Sequence, residues 1–301
     1  MTTYPTGEQY EITAGSHSAA ITEVGATLRR YAVDGRDVVA GFAAEDVIHG
    51  GWGQQLLPWP NRIRDGAYTF NGVEQQLALT EPARHNAIHG LARNVVWNLV
   101  DSTPDSVTQR VRIYPQSGWP GILEAEITHA LSDDGLLVSV SATNIGDTEV
   151  PFGYAAHPYL TVGEDAVDDI AVTLPAASFL EVDERLLPLQ VTSVEGTEQD
   201  LRSGGPLGSV VLDTAFTDLD RDTDGRWRVK LALGARYAEL WGDKTMGWIQ
   251  VFTGDHRRDL SLAVEPMTCG PDAFNAGPTH DGLIRLAPGA SFHGSWGIVG
   301  R

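Results

Sequence analysis

Two residues stand where proton transfer could be done. His157 lies in FGYAAHPYL (152–160), ahead of a proline and among aromatic and small apolar residues. The proline restricts its backbone to the extended region, and partial desolvation moves an imidazole pKa within the range useful for general acid–base work. Glu265 ends an apolar run in LAVEPMTCGPDAF (262–274). A carboxylate carried inward on a strand is costly unless it is paired or its pKa is raised, which makes it a candidate base. The plainer readings are a hydrogen-bonded structural histidine and a glutamate at a strand end facing solvent.

Three further segments hold polar and aromatic residues beside glycine or proline. GWGQQLLPWPNRIRDG (51–66) carries Trp52, Trp59, Asn61, Arg62 and Arg64 in one irregular stretch. Aromatic faces stack on sugar C–H groups while Arg and Asn donate to hydroxyls, so the stretch suits a sugar cleft; tryptophans filling the core and solvated arginines are the alternative. HNAIHGLARNVVW (85–97) places His85 and His89 four apart, with Arg93 following. On a helix that spacing puts two imidazoles on one face, as a metal site needs, but the segment reads as irregular and has no third ligand, so no metal is expected. Asp213 in LDTAFTDL (212–219) follows an apolar strand and could accept from hydroxyls, or simply close a turn.

Strands must position these groups. Short runs rich in Val, Ile, Thr, Leu and aromatics recur at 9–14, 18–24, 26–32, 107–114, 123–131, 136–143, 170–174, 227–233 and 259–264. Asp34-Gly35, Asn71-Gly72, Asp134-Gly135 and Asp224-Gly225 accept positive φ, and each predicts a tight hairpin. No window of a dozen residues holds a helical apolar period. An all-β fold follows, a sandwich of large antiparallel sheets in preference to a propeller, whose blades repeat every 40 to 50 residues or so. No linker divides the 301 residues, and the acidic stretch 163–169 is too short to be a tail, so one domain over 1–301 is expected.

Lys and Arg number 21 against 40 Asp and Glu, a net charge of −19 that argues against nucleic acid or an anionic membrane as partner. The opening MTTYPTGEQYEI lacks the charged and apolar regions of a signal peptide, and no apolar run could span a bilayer. A lone cysteine, Cys269, excludes an internal disulfide. A cytoplasmic protein, monomer or homodimer, is expected. The sequence has no GxxxxGK[ST], GxGxxG after a strand, HExxH or GxSxG, which leaves chemistry done by side chains on sheets and loops.

In order and spacing, PNRIRDG, HNAIHG, HPYL, LDTAF and AVEPMT resemble the aldose 1-epimerases, the galactose mutarotase-like proteins, over nearly the whole chain. The resemblance implies a large β-sandwich with an open monosaccharide cleft, interconversion of the α and β anomers of a free aldohexose such as galactose or glucose, and no cofactor or metal. Position by position it implies that His157 is the general acid, acting as an imidazolium, and Glu265 the general base. It makes Arg62 and His89 contacts of the ring oxygens and hydroxyls and Asp213 a grip on hydroxyls; Asn61 and Arg93, in the same segments, join the substrate-binding set. Leu91 stands after Gly90 where the family often has a second glycine, and His89-Gly90-x-x-Arg93 is similar to hexose-6-phosphate epimerases, in which case Arg64 and Arg93 could bind phosphate. A non-catalytic carbohydrate-binding protein and a glycoside hydrolase are the other readings; the latter usually sets two carboxylates across the bond.

Overall fold

The computed structural model describes residues 3–163, 167–254, 257 and 259–301, so part of the acidic stretch, 164–166, lies outside the described residues. Every strand pair among them is antiparallel; one sheet has twelve strands and another eight, with three two-stranded ribbons beside them. The eight-stranded sheet shows why. Strands Leu123–Ser132 and Gly135–Asn144 alternate buried and more exposed residues along most of their length, so each offers one apolar face. Those faces meet the large sheet in a single apolar layer that contains Trp97, Trp119, Trp227, Trp296, Tyr31 and Phe216.

Two of the Asx-Gly signals close hairpins as expected. Val33 pairs with Arg36 around Asp34-Gly35, and Phe70 with Val73 around Asn71-Gly72. At the third, Ser132 pairs with Gly135, so the turn is Asp133-Asp134, one residue earlier than the sequence suggests. The fourth is not a hairpin. Asp213–Leu219 belongs to the twelve-stranded sheet and Trp227–Leu233 to the eight-stranded one, and Asp224-Gly225 sits in a local turn of the crossover between them, closed by Asp222 N–H donating to Arg226 O over 2.8 Å. Tight turns at Gly15-Ser16 and Gly234-Ala235 do the same work without an Asx, because glycine alone supplies positive φ there.

The core carries a polar seam. Buried Trp296 donates through Nε1 to the Tyr154 hydroxyl at 2.8 Å, which donates to Gln55 Oε1 at 2.6 Å. Gln55 Nε2 in turn reaches Ala26 O at 3.3 Å and His129 Nε2 at 3.5 Å, so the polar ends of Trp296 and Tyr154 are paired. Burial pulls the His129 imidazole from 6.5 down to about 3. The folded chain therefore favours the neutral ring, and unfolding takes up a proton between those two values. Stability from this residue is full above the unfolded value of 6.5 and is lost as the pH falls towards 3. Urea unfolding midpoints should drop over that window in the wild type, and less steeply in His129→Gln; equal slopes in the two proteins would contradict this.

Strand Leu262–Met267 lies inside the twelve-stranded sheet and is buried at every position. Leu262 and Val264 face the inter-sheet core, so by the two-residue period Glu265 faces the opposite side, together with Met267. That side is partly roofed by the chain between Gly50 and Arg93. Its ribbons, Arg62–Arg64 with Asn86–Ile88 and Ala67–Phe70 with Val73–Gln76, pack over a separate apolar cluster of Trp59, Ile63, Tyr68, Phe70, Leu77 and Phe274. Sheet and roof leave a cleft between them.

Candidate active site

The cleft has a volume of about 260 Å³ and is lined from the sheet by Asp213, Phe252, Glu265 and His157, and from the roof by Asn61, Arg62, Glu81, His89 and Arg93. The seven residues to which the resemblance gave catalytic or substrate-binding parts come together there. His157 and Glu265 are 4% and 2% exposed, and His157 Nε2 lies 3.2 Å from Glu265 Oε1. The His157 backbone is held from both sides, its N–H donating to Gln54 O at 3.1 Å and its carbonyl accepting from Gly53 at 2.9 Å. Tyr159 stacks on its ring at 5.2 Å between centroids, and His89 meets it edge-on at 5.6 Å. Gly51 closes another side: with φ +79° and space for no Cβ, which would lie 2.8 Å from His157 Cδ2, the position admits only glycine without moving the ring.

The sheet supplies the polar floor through register. Gln250 is directly opposite Glu265 on the neighbouring strand Trp248–Phe252, and Ala215 is opposite Gln250 on the next, which places Asp213 on the same face. Asn61 Nδ2 donates to Gln250 Oε1 at 3.3 Å, and Gln250 Nε2 donates to Asp213 Oδ1 at 2.6 Å. Arg62 closes the ring: Nη1 donates to Asn61 Oδ1 at 3.2 Å and Nη2 comes within 4.0 Å of Asp213 Oδ2. Its Nε and Nη2 also grip the two oxygens of Glu81 at 2.8 and 3.0 Å, a fork-to-fork pair that fixes the plane of the guanidinium. Asn61 and His89 both have positive φ, +50° and +62°, and His89 N–H donates to Asn61 O at 2.8 Å, so the two turns are locked to each other. Asp272 reinforces this corner, donating from its N–H to Arg62 O at 2.7 Å and accepting from Arg64 N–H at 2.9 Å.

Burial dominates the electrostatics. It raises the Glu265 carboxyl well above its ordinary value, helped by Asp213 and opposed by Arg62. It lowers the His157 imidazole, and it lowers His89 well below its ordinary value, with the neighbouring His157, Arg93 and Arg62 adding to the effect. Asp213 is raised by burial against the pull of Arg62, whereas at Glu81 hydrogen bonds from Arg62, Asn86 and Arg84 outweigh burial and the carboxyl is lowered. The imidazolium expected for His157 is thus not the form its surroundings favour, because a charge there has lost its water. His157 Nδ1, His89 Nδ1 and Glu265 Oε2 are buried with no partner among the described residues, three polar atoms that the hydroxyls of a bound molecule could satisfy.

A sequence profile described as aldose 1-epimerase matches residues 8–297. The chain belongs to the aldose 1-epimerase family. Among relatives of this family member, the Escherichia coli protein YihR, itself uncharacterised, is 32% identical over 90% of this chain and 87% of its own. Human galactose mutarotase is 29% identical over 86% of this chain and 83% of its own. A galactose mutarotase-like protein from Clostridium acetobutylicum superposes with a TM-score of 0.87 at 18% identity, covering 97% of this chain and 94% of that one. The GalM/aldose epimerase homologue from C. elegans gives a TM-score of 0.84 at 21% identity, covering 98% of both chains. These two share the sandwich of this epimerase-family chain.

Not every residue of the suggestive segments reaches the cleft. Trp59 is buried against Phe274, and Trp52 packs on Phe42 and His49 with the Arg257 guanidinium 3.8 Å over its ring, so neither tryptophan offers a face to a ligand there. Phe252 is the aromatic lining the cleft instead. Arg64 is turned outward to Asp272, 3.5 Å away, and His85 pairs with Asp65 at 2.8 Å on the surface. Among the described residues no group of His, Cys, Asp and Glu could hold a metal ion, and no helix is long and apolar enough to cross a membrane. Sequence reasoning missed Glu81 and Gln250. Gln250 had a signal, a lone amide inside the apolar strand WIQVF; Glu81, in TEPAR, had none.

Proposed function

We propose that the cleft interconverts the α and β anomers of an aldohexopyranose whose C1 hydroxyl is free, with galactose and glucose the first sugars to try. The His157–Glu265 contact at 3.2 Å carries the proposal, since it sets an acid and a base side by side in a dry site. Ring opening takes one proton from O1–H and gives one to O5. Glu265 takes the first as His157 gives the second; the C1–O5 bond breaks, its electron pair passes to O5, and C1=O forms. Rotation about C1–C2 turns the other carbonyl face to the O5 hydroxyl. Closing reverses both transfers, with Glu265 returning its proton to O1 and His157 taking one from O5.

One proton shared by the pair is enough for the whole cycle. With it on His157 the pair is ionic and ready to open the ring; with it on Glu265 both are neutral, which is the state that accompanies the open-chain sugar. Burial favours the neutral state, so the surroundings stabilise the pair as it stands when the ring is open and supply a pull on the opening step. Arg62, His89, Asp213 and Asn61 act as donors and acceptors for the ring oxygen and hydroxyls, and each positioned acid or base contributes about 10²–10⁴-fold. Polarimetry on freshly dissolved α-D-galactose and α-D-glucose tests the reading. The wild type should speed the approach to anomeric equilibrium of at least one aldohexose well beyond buffer alone. A folded protein that accelerates no aldohexose would rule the reaction out.

A further inference from the structure

Arg62 on the roof and Asp213 on the sheet face each other across the cleft without touching. Nη2 of the arginine is 4.0 Å from Oδ2 of the carboxylate, beyond hydrogen-bond reach. An arginine and a carboxylate so close together, with little water between them, ordinarily close to about 2.8 Å and pair through two parallel bonds. Here the fork of the guanidinium is already taken. Nε and Nη2 are held by the two oxygens of Glu81 at 2.8 and 3.0 Å, and Nη1 is held by Asn61 Oδ1 at 3.2 Å.

Glu81 is itself anchored from several directions. Its backbone pairs with Asn86 both ways, Glu81 N–H donating to Asn86 O at 2.9 Å and Asn86 N–H to Glu81 O at 3.2 Å. Its carboxylate also accepts from Arg84 Nη1 at 3.0 Å and from Asn86 Nδ2 at 3.1 Å, so four donors fix both oxygens. Buried Asn86 is tied in turn to Arg185, whose carbonyl accepts from Asn86 Nδ2 and whose Nη2 donates to Asn86 Oδ1, both at 3.2 Å. Arg185 stands in the loop 183–187 between strands Ala176–Val182 and Pro188–Ser193, the latter at the edge of the twelve-stranded sheet. The anchor of Arg62 thus reaches back to the sheet that carries Asp213. We propose that Glu81 is a positioning residue that acts through Arg62, holding the guanidinium back from Asp213 so that both stay open to the hydroxyls of the sugar instead of closing on each other across the cleft. The proposal deepens the anomer-exchange reading of the same site and rests on it for its kinetic consequence. Without Glu81, Arg62 has Asp213 to turn to, and a sugar must part that pair before it can bind. A cost of this kind falls on binding and not on the chemical step, so it raises KM and spares kcat.

Crystal structures of the wild type and Glu81→Gln read the positioning directly. In the variant an Arg62 nitrogen should lie about 2.8 Å from an Asp213 oxygen, with the gap kept open in the wild type. Magnetisation exchange between the α and β H1 protons, measured at anomeric equilibrium on galactose or glucose, needs no pure anomer and reads the kinetics. Glu81→Gln should raise KM by about tenfold or more, the usual worth of a hydrogen bond between charged groups, while kcat stays within about threefold. Glu81→Asp, which keeps the charge, should recover part of the loss. Asp213→Ala removes the other half of the competing pair, so adding Glu81→Gln to it should change KM by only about twofold. Should Glu81→Gln not fold, Glu81→Ala, which leaves room for water at the four donors, takes its place. An Arg62 that keeps its distance from Asp213 in the variant, or a loss carried by kcat that multiplies in the double variant, would overturn the proposal. If the wild type exchanges no sugar, it is the reaction that falls. The two crystal structures then decide the positioning alone, a closed pair in the variant supporting it and an open one overturning it.

Discussion

Glu265→Gln should lower the rate of anomer exchange by about 10²–10⁴-fold while leaving the chain at least as stable as the wild type. The substitution keeps the shape of a side chain that is 2% exposed and removes its ability to take the O1 proton. Its effect on stability has the opposite sign to its effect on rate. Burial raises the Glu265 carboxyl, so the folded state holds that proton more tightly than the unfolded one. The stability it contributes is full below the unfolded value and is lost as pH rises through the folded value. Glutamine has no proton to lose, so the melting temperature of the variant should gain on the wild type as pH rises above the ordinary carboxyl value of 4.5. A variant that is slow only because it is misfolded would melt lower at every pH, and the two measurements together separate these cases.

His157→Asn should cost a comparable factor, about 10²–10⁴-fold, and should also change the pH profile. In the wild type the pair works with one proton. Activity is expected to fall on the acid side as His157 and Glu265 both become protonated, and on the alkaline side as the pair loses its proton, two limbs that belong to the pair and to neither residue alone. Because burial lowers the imidazole, the acid limb should lie below the ordinary histidine range. The residual rate of His157→Asn should lack the alkaline limb, since no acid is left there to lose its proton, while protonation of Glu265 still lowers it on the acid side. Retention of both limbs would mean that another group, with His89 at 5.6 Å between rings a candidate, does the work.

The fold was readable because most strands here bury one face only, and a half-buried strand writes its period into the sequence, as LEAEITHALS does over Leu123–Ser132. Hairpins were readable where both flanking strands lie in one sheet. Asp224-Gly225 has the same local chemistry as Asn71-Gly72, but its neighbours pair in different sheets, and pairing partners far apart in the chain leave no local trace. The site followed the same logic. Glu265 and His157 were legible because a titratable group inside an apolar run is costly and so conspicuous. Trp52 and Trp59 drew attention to a segment that lines the cleft through Asn61 and Arg62 instead, since an aromatic near proline and glycine looks the same whether it stacks on a ligand or on Phe274. Glu81 stayed hidden because its importance comes only from the Arg62 fork that folding brings to it across nineteen residues of chain.

The central claim is that His157 and Glu265 together move the protons of ring opening. Magnetisation exchange on one sugar with the wild type, both single variants and the double variant His157→Asn/Glu265→Gln measures this most directly. Partners in one proton circuit should be strongly non-additive, with the double variant about as slow as either single one and the wild type far faster than all three. Single losses that multiply in the double variant, or a double variant that matches the wild type, would show that the two side chains do not act as a pair.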